Sequence, residues 1–246
     1  MENAQLIALS RQHVLRNRLD VVANNMANIN TPGFKSQDLH FSEYVMAVAE
    51  NTAFEPQDRK MSYVDMFTTR TNFDPGSVMT TGNDLDFALN SEGFFVVQLE
   101  DGTEAYTRAG SFHLNAQGQL VAPGGLPVLT DQGPVTITRE DGLVEVSAEG
   151  IIATDNGIRG RLRVVNFEDL RKLEKIGDTL FVGEDPIPAT DVRMIQGAVE
   201  GSNVFGVTEV SRLIEVTRAY ESMTNLLKEI DDLRQQAVRT LGTFEG

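Results

Sequence analysis

Residues 207–241, VTEVSRLIEVTRAYESMTNLLKEIDDLRQQAVRTL, decide how the chain is read. Leu213, Val216, Tyr220, Met223, Leu227, Ile230, Arg234, Ala237 and Leu241 follow one another at spacings of three and four. That period writes a narrow apolar seam along a helix, which suits a helical partner better than the broad face of a globular core. At 1.5 Å per residue the helix is roughly 50 Å long, more than a domain of this size covers with its own core. Gly242 follows the last seam position as a stop, while Ser202, Asn203 and Gly206 are all candidate caps at its start.

The other end of the chain carries a matching pattern. Leu15, Leu19, Val22, Met26 and Ile29 recur at four and three within a stretch from Asn3 to Asn30 that has no proline or glycine. Asn3 is the candidate cap, and Asn30-Thr31-Pro32-Gly33 ends the helix because the residue before a proline leaves helical geometry. The two seams pair with each other as a coiled coil that sends both termini the same way, or each helix packs separately on the middle of the chain.

Charge separates these ends from the middle. Of the net −15, residues 1–35 hold four Lys/Arg against two Asp/Glu, residues 36–206 hold twelve against twenty-seven, and residues 207–246 hold five against seven. Near-neutral helices pack side by side without large repulsion, and an acidic middle keeps the exposed part soluble. No basic stripe is present to displace counterions from phosphates, which argues against a nucleic-acid partner. No run of eighteen apolar residues is present to span a membrane, and Met1-Glu2-Asn3 does not open a secretory signal. Absence of cysteine removes disulfides, thiol nucleophiles and cysteine-ligated metals together.

Between the helices the chain changes period. Residues from Phe34 to Glu50 suit an extended arm followed by a short helix, Asn51 to Lys60 an exposed linker, and Met61 to Phe73 a strand, closed by the turn Asp74-Pro75-Gly76. From Ser77 to about Val199 the reading is all-β. Phe94 to Leu99 is a strand, Asp101-Gly102 its hairpin turn, and Ala105-Tyr106-Thr107 the return. Turns such as Gln117-Gly118, Gln132-Gly133-Pro134, Asp141-Gly142 and Asn156-Gly157 separate Val/Ile/Thr-rich runs and predict a barrel or sandwich of short strands. The fold class is therefore α+β, with long terminal helices and a central barrel-like or sandwich-like β domain. Its expected divisions are 1–35 for the N-terminal coiled-coil helix, 36–75 for an extended connector, 76–200 for the β domain and 201–246 for the C-terminal coiled-coil helix.

Three blocks stand out along the chain. They are Leu19 through Asn24-Asn25-Met26-Ala27-Asn28-Ile29-Asn30-Thr31-Pro32-Gly33-Phe34-Lys35, then Gly82 to Leu89 with Gly93 to Val97, Tyr106 to Phe112 and Gly118 to Val121, and lastly Gln196 to Val204 followed by Arg218-Ala219-Tyr220-Glu221. Together they resemble the flagellar rod and hook axial family and cover nearly the whole chain in that family's order. Chain length, Met1-Glu2-Asn3-Ala4 and Leu9-Ser10-Arg11-Gln12 are nearest the proximal rod members, with the distal rod members next; Phe205-Gly206 departs from the family's pattern. The resemblance implies a structural subunit, not an enzyme, exported unfolded by the flagellar type III apparatus. It implies stacking with other rod subunits, proximal and distal, into a helical assembly across the periplasm. The helices would form its inner tube and the β domain its outer layer. It implies no cofactor.

The assembly interface expected from seams and resemblance comprises Leu15, Leu19, Val22, Asn24, Asn25, Met26, Asn28 and Ile29 with Leu213, Val216, Tyr220, Met223, Leu227 and Ile230. Asparagines are poor helix formers, so Asn24, Asn25, Asn28 and Asn30 either bond across helices and set register or fray the last turn. Other chemistry is thin. His13, His40 and His113 lack ligand spacing, Asn83-Asp84-Leu85-Asp86 lacks the remaining ligands of a calcium loop, Ser111-Phe112-His113 lacks a strained elbow, and Gly124-Gly125 lacks the lysine of a phosphate loop. Two rival classes are a two-carboxylate glycoside hydrolase, which needs a paired Asp/Glu cleft, and a coiled-coil adaptor, which would form a defined soluble dimer.

Overall fold

The structure, a computed structural model, describes residues 2–45 and 62–242. Helix α1 is Glu2–Ala27 and helix α2 is Gly206–Gly242, with strands and short turns between them. The chain divides into two compact units. One holds residues 1–26, 37–70 and 205–246, the other 27–36 and 71–204.

In the first unit the helix pair is antiparallel. Gln12 Nε2 donates to Thr224 Oγ1 at 3.3 Å and Asn25 Nδ2 donates to Glu209 Oε2 at 3.4 Å, so position rises in one helix as it falls in the other. Beside them Gln37–Val45 and Ser62–Thr71 form a two-stranded sheet. The strand expected after residue 61 is present, and the extended arm expected from Phe34 contains a strand, Gln37–Val45, whose backbone groups are met by the facing strand. The end of that segment, up to Glu50, where the short helix was expected to follow, lies outside the described residues. The linker expected at residues 51–60 lies outside the described residues.

One helix end differs from the expectation and the other falls at one of its candidate positions, each for a local reason. Helix α1 stops at Ala27 rather than Asn30, because Asn28 to Asn30 turn, with Thr31 N–H donating to Asn28 O at 3.2 Å and Thr31 Oγ1 to Asn28 Oδ1 at 3.0 Å. Helix α2 begins at Gly206, since the hydroxyl of Ser202 accepts from Val204 N–H and the amide of Asn203 is engaged by other segments. Glu209 lies in its first turn, where a carboxylate complements the helix dipole.

The second unit is β-rich, and it is not a closed barrel. Its largest sheet has six antiparallel strands in the order Glu174–Lys175, Leu180–Val182, Glu104–Thr107, Phe94–Gln98, Val164–Asn166, Ile187–Pro188, and so ends in two free edges. Pro188 at one edge has no N–H to offer another strand. The hairpin turn sits where Asp101-Gly102 placed it. Gly102 has φ 84°, and Asp101 Oδ1 accepts from Thr103 N–H at 2.9 Å.

Phe94-Phe95-Val96-Val97 is buried throughout because this central strand is covered on both faces. Phe95 and Val97 point into one core with Phe87, Phe112, Leu120 and Ile152. Phe94 and Val96 point into the other with Tyr106, Val165, Phe167 and Phe181. Alternate side chains of a strand face opposite ways, so a strand buried on both sides is written as a continuous apolar run.

Candidate assembly interface

From Leu213 to Arg234 the seam read from α2 is buried or partly buried, while Ala237 is exposed. Val216 is 1% exposed, and Leu213, Tyr220, Met223, Leu227, Ile230 and Arg234 are partly buried. On α1, Val22 is buried and Leu15, Leu19 and Met26 are partly buried, whereas Ile29 lies beyond the helix and is exposed. A second set of apolar residues on α2 stays in solvent: Val207, Val210, Ile214, Leu226, Leu233 and Val238, with Leu233 at 61% and Val238 at 70%. By the register of the two cross-helix bonds, α1 ends opposite the neighbourhood of Leu233, so the last turns of α2 run past it.

Asn25 anchors this unit from within. Its Oδ1 accepts from Gln37 N–H at 3.0 Å, while its Nδ2 donates to Gln37 O at 2.9 Å and to Glu209. Glu209 also accepts from Arg212 at 2.8 Å, and Arg212 reaches Asp38 at 3.0 Å. One amide thus joins α1, the following strand and α2. Asn28 is buried at the turn after α1, and Asn24 and Asn30 are exposed.

A second constellation lies in the β unit, where the three family-like blocks meet. Lys35 Nζ donates to Glu200 Oε1 at 2.6 Å and to Asp74 O at 2.8 Å, and Gly76 N–H donates to the same carboxylate oxygen at 2.9 Å. Arg108 Nη1 lies 3.6 Å from Glu200 Oε2 and donates to Ser91 O at 2.9 Å. The side chains of Lys35 and Glu200 are 0% and 2% exposed. Burial pushes the Lys35 ammonium below its ordinary pKa, with Glu200 opposing that shift, and burial does the same to Arg108.

Backbone contacts close the same junction. Gly33 N–H donates to Glu200 O at 2.7 Å, and Asn203 accepts from Ser36 N–H at 2.8 Å while donating to Asn72 O and Asp74 O. Gly33 sits at φ +71°, and a Cβ there would overlap the backbone of Arg108 and Ala109. Sequence reasoning missed Lys35, Arg108, Glu200 and Glu209 as a group. A legible signal existed for three of them: Lys35, Arg108 and Glu200 stand one in each block, each flanked directly by small or apolar residues.

Phe34, next in line, is covered by Lys175, whose Nζ stands 3.9 Å from the ring centroid. That ammonium is buried without a hydrogen-bond partner, and desolvation lowers its pKa from 10.5 to about 8. The folded value lies below the unfolded one, so the unfolded chain binds more protons between about pH 8 and 10.5 and stability from this group rises with pH across that window. Lys175→Met is therefore expected to stabilise the β unit at pH 7 by about 1–2 kcal/mol after allowance for solvent screening. Urea titrations of both chains should show that gain disappear as the pH approaches 10.5.

The remaining residues with chemical potential are occupied structurally. Asp86 accepts from Thr81 Oγ1 at 2.6 Å and from Asn83 Nδ2 at 3.1 Å, which makes Asn83-Asp84-Leu85-Asp86 a turn into the strand Phe87–Leu89. His40 and His113 are exposed on separate strands, and Ser111 bridges to the backbone of Asp86. Among the described residues no group of three His, Asp or Glu is placed to hold a metal ion, and no helix is long and apolar enough to cross a membrane.

Comparison with known proteins covers the same blocks. The family described as "Flagella basal body rod protein" matches residues 6–35, "Flagellar hook protein FlgE/F/G D1 domain" matches 88–154, and "Flagellar basal body rod FlgEFG protein C-terminal" matches 195–240. Over 246 residues the chain is 40% identical to the flagellar basal-body rod protein FlgF of Caulobacter vibrioides, covering 98% of this chain and 99% of that one. It is 32% identical to FlgF of Mesorhizobium japonicum over 99% of both chains. It is 31% identical to the flagellar basal-body rod protein FlgG of Agrobacterium fabrum over 94% of this chain and 96% of that one.

Proposed function

The chain belongs to the flagellar basal-body rod family and is a structural subunit of the rod, and from that premise we propose that it builds the proximal rod through its terminal helices. What supports the proximal assignment is end-to-end similarity that is higher and more complete to FlgF of Caulobacter vibrioides, at 40% identity, than to FlgG of Agrobacterium fabrum, at 31%. In this reading α1 and α2 pair as an antiparallel coiled coil along Leu15, Leu19, Val22 and Met26 with Leu213, Val216, Tyr220, Met223, Leu227 and Ile230. Other rod subunits pack against the apolar face that the pair leaves in solvent, which includes Leu226, Leu233 and Val238. Isolated helices of this kind are marginal in water, so burial of that face on assembly completes their order.

Residues 1–35 and 201–246 serve as the rod-forming parts, 36–75 as the connector and 76–200 as the β domain, and the chain acts without a cofactor or a reaction of its own. Delivery through the flagellar type III export apparatus belongs to the same reading. Counting the chain against other rod subunits in washed basal bodies by quantitative mass spectrometry tests the position: a few copies per particle are expected, and many copies would move it to the distal rod. Leu227→Asp places a carboxylate in the seam and is expected to abolish incorporation and motility while leaving the β unit folded. Incorporation at the normal level would remove the seam from the interface.

A further inference from the structure

Lys35, Arg108 and Glu200 lie far apart in sequence and meet where they take space from apolar packing. Removing such a set from water costs about as much as its mutual attraction returns, so apolar residues of similar volume hold a site at least as tightly. What apolar residues lack is direction. Glu200 Oε1 accepts from both Lys35 Nζ and Gly76 N–H, and Oε2 is turned to an Arg108 already tied to Ser91 O. That set of bonds exists in one arrangement of its segments, whereas methylene groups pack in several. The segments concerned, 33–36, 72–76 and 200–203, are those at which the chain enters and leaves the β unit, and Asn203 bonds to the same ones.

We propose that Lys35, Glu200 and Arg108 are positioning residues, a buried clasp that holds the entering and leaving segments of the β unit in one register without adding net stability. The clasp is independent of the assembly reading, because its consequences are read on the dilute monomer. Glu200→Met leaves two buried cations with only the weaker influence of Asp74 on Lys35 and of Glu92 on Arg108, and is expected to lower the melting temperature by about 10 °C. Lys35→Met/Glu200→Met should recover at least half of that loss. In the double variant, amide hydrogen exchange should be faster by about tenfold in residues 33–36, 72–76 and 200–203 yet unchanged in Phe94–Gln98, a local loosening that a general loss of stability would not produce.

Three results overturn the proposal. The first is a Glu200→Met chain that melts within about 2 °C of wild type, as for a surface pair. The second is a double variant that melts no higher than the single one, which would make the cluster a stability element. The third is a double variant with wild-type exchange in all three segments, which would leave the charges no role in register. Should Glu200→Met fail to fold, the double variant alone decides between these outcomes.

Discussion

Gly33→Val is expected to cost the β unit about 3–5 kcal/mol, the largest loss anticipated for a substitution of so few atoms. Two effects add. At φ +71° a β-branched residue is forced into the left-handed region, and its Cβ meets the backbone of Arg108 and Ala109, which cannot swing aside as a side chain would. Relief requires moving the segment that carries Lys35 away from Glu200, so the Gly33 N–H bond to Glu200 O is lost as well. Urea unfolding followed through the β unit should show a midpoint shift of that size with the slope preserved. A shift below about 1 kcal/mol would mean that the backbone approach at Gly33 is not a constraint.

Val216→Asp is expected to separate the helices while the β unit stays folded. Val216 is 1% exposed on α2, so the change removes about 2 kcal/mol of apolar burial and sets a carboxylate at a buried position, for a total of about 4 kcal/mol. A helix pair with much of its surface in solvent has little reserve against that loss. Circular dichroism should lose helical signal, and amide exchange along α1 and α2 should approach that of an open chain, with Phe94–Gln98 protected as before. Retention of helix protection would place the stability of the pair elsewhere, in the Asn25, Glu209 and Arg212 bonds.

The structure recasts several sequence expectations in physical terms. Asparagines at the end of α1 looked like one functional set, yet they divide by position. Asn25 faces inward and joins three elements, while Asn24 and Asn30 face solvent. Asn203 looked like a helix cap and instead bonds to residues 36, 72 and 74, because a closer set of backbone groups competes for the same amide. Short strands with turns between them predict β structure but not closure. Whether a sheet closes depends on which strands become neighbours, and here Glu174–Lys175 and Ile187–Pro188 end the six-stranded sheet.

Elements whose signal is local were legible by themselves. A period of three and four is written along residues 207–241 whatever they pack against, a doubly buried strand must be an apolar run as at Phe94-Phe95-Val96-Val97, and Asp101-Gly102 sets its own turn. Family blocks in their order carried the role of the chain for the same reason, since they too are read along the chain. Tertiary structure alone decided which side of α2 meets α1, where α1 runs out near Leu233 and leaves Val238 beyond it, and that Lys35 closes on Glu200 across 165 positions. Pairing of buried charges depends on distance in space, and no spacing within either segment encodes the other's position.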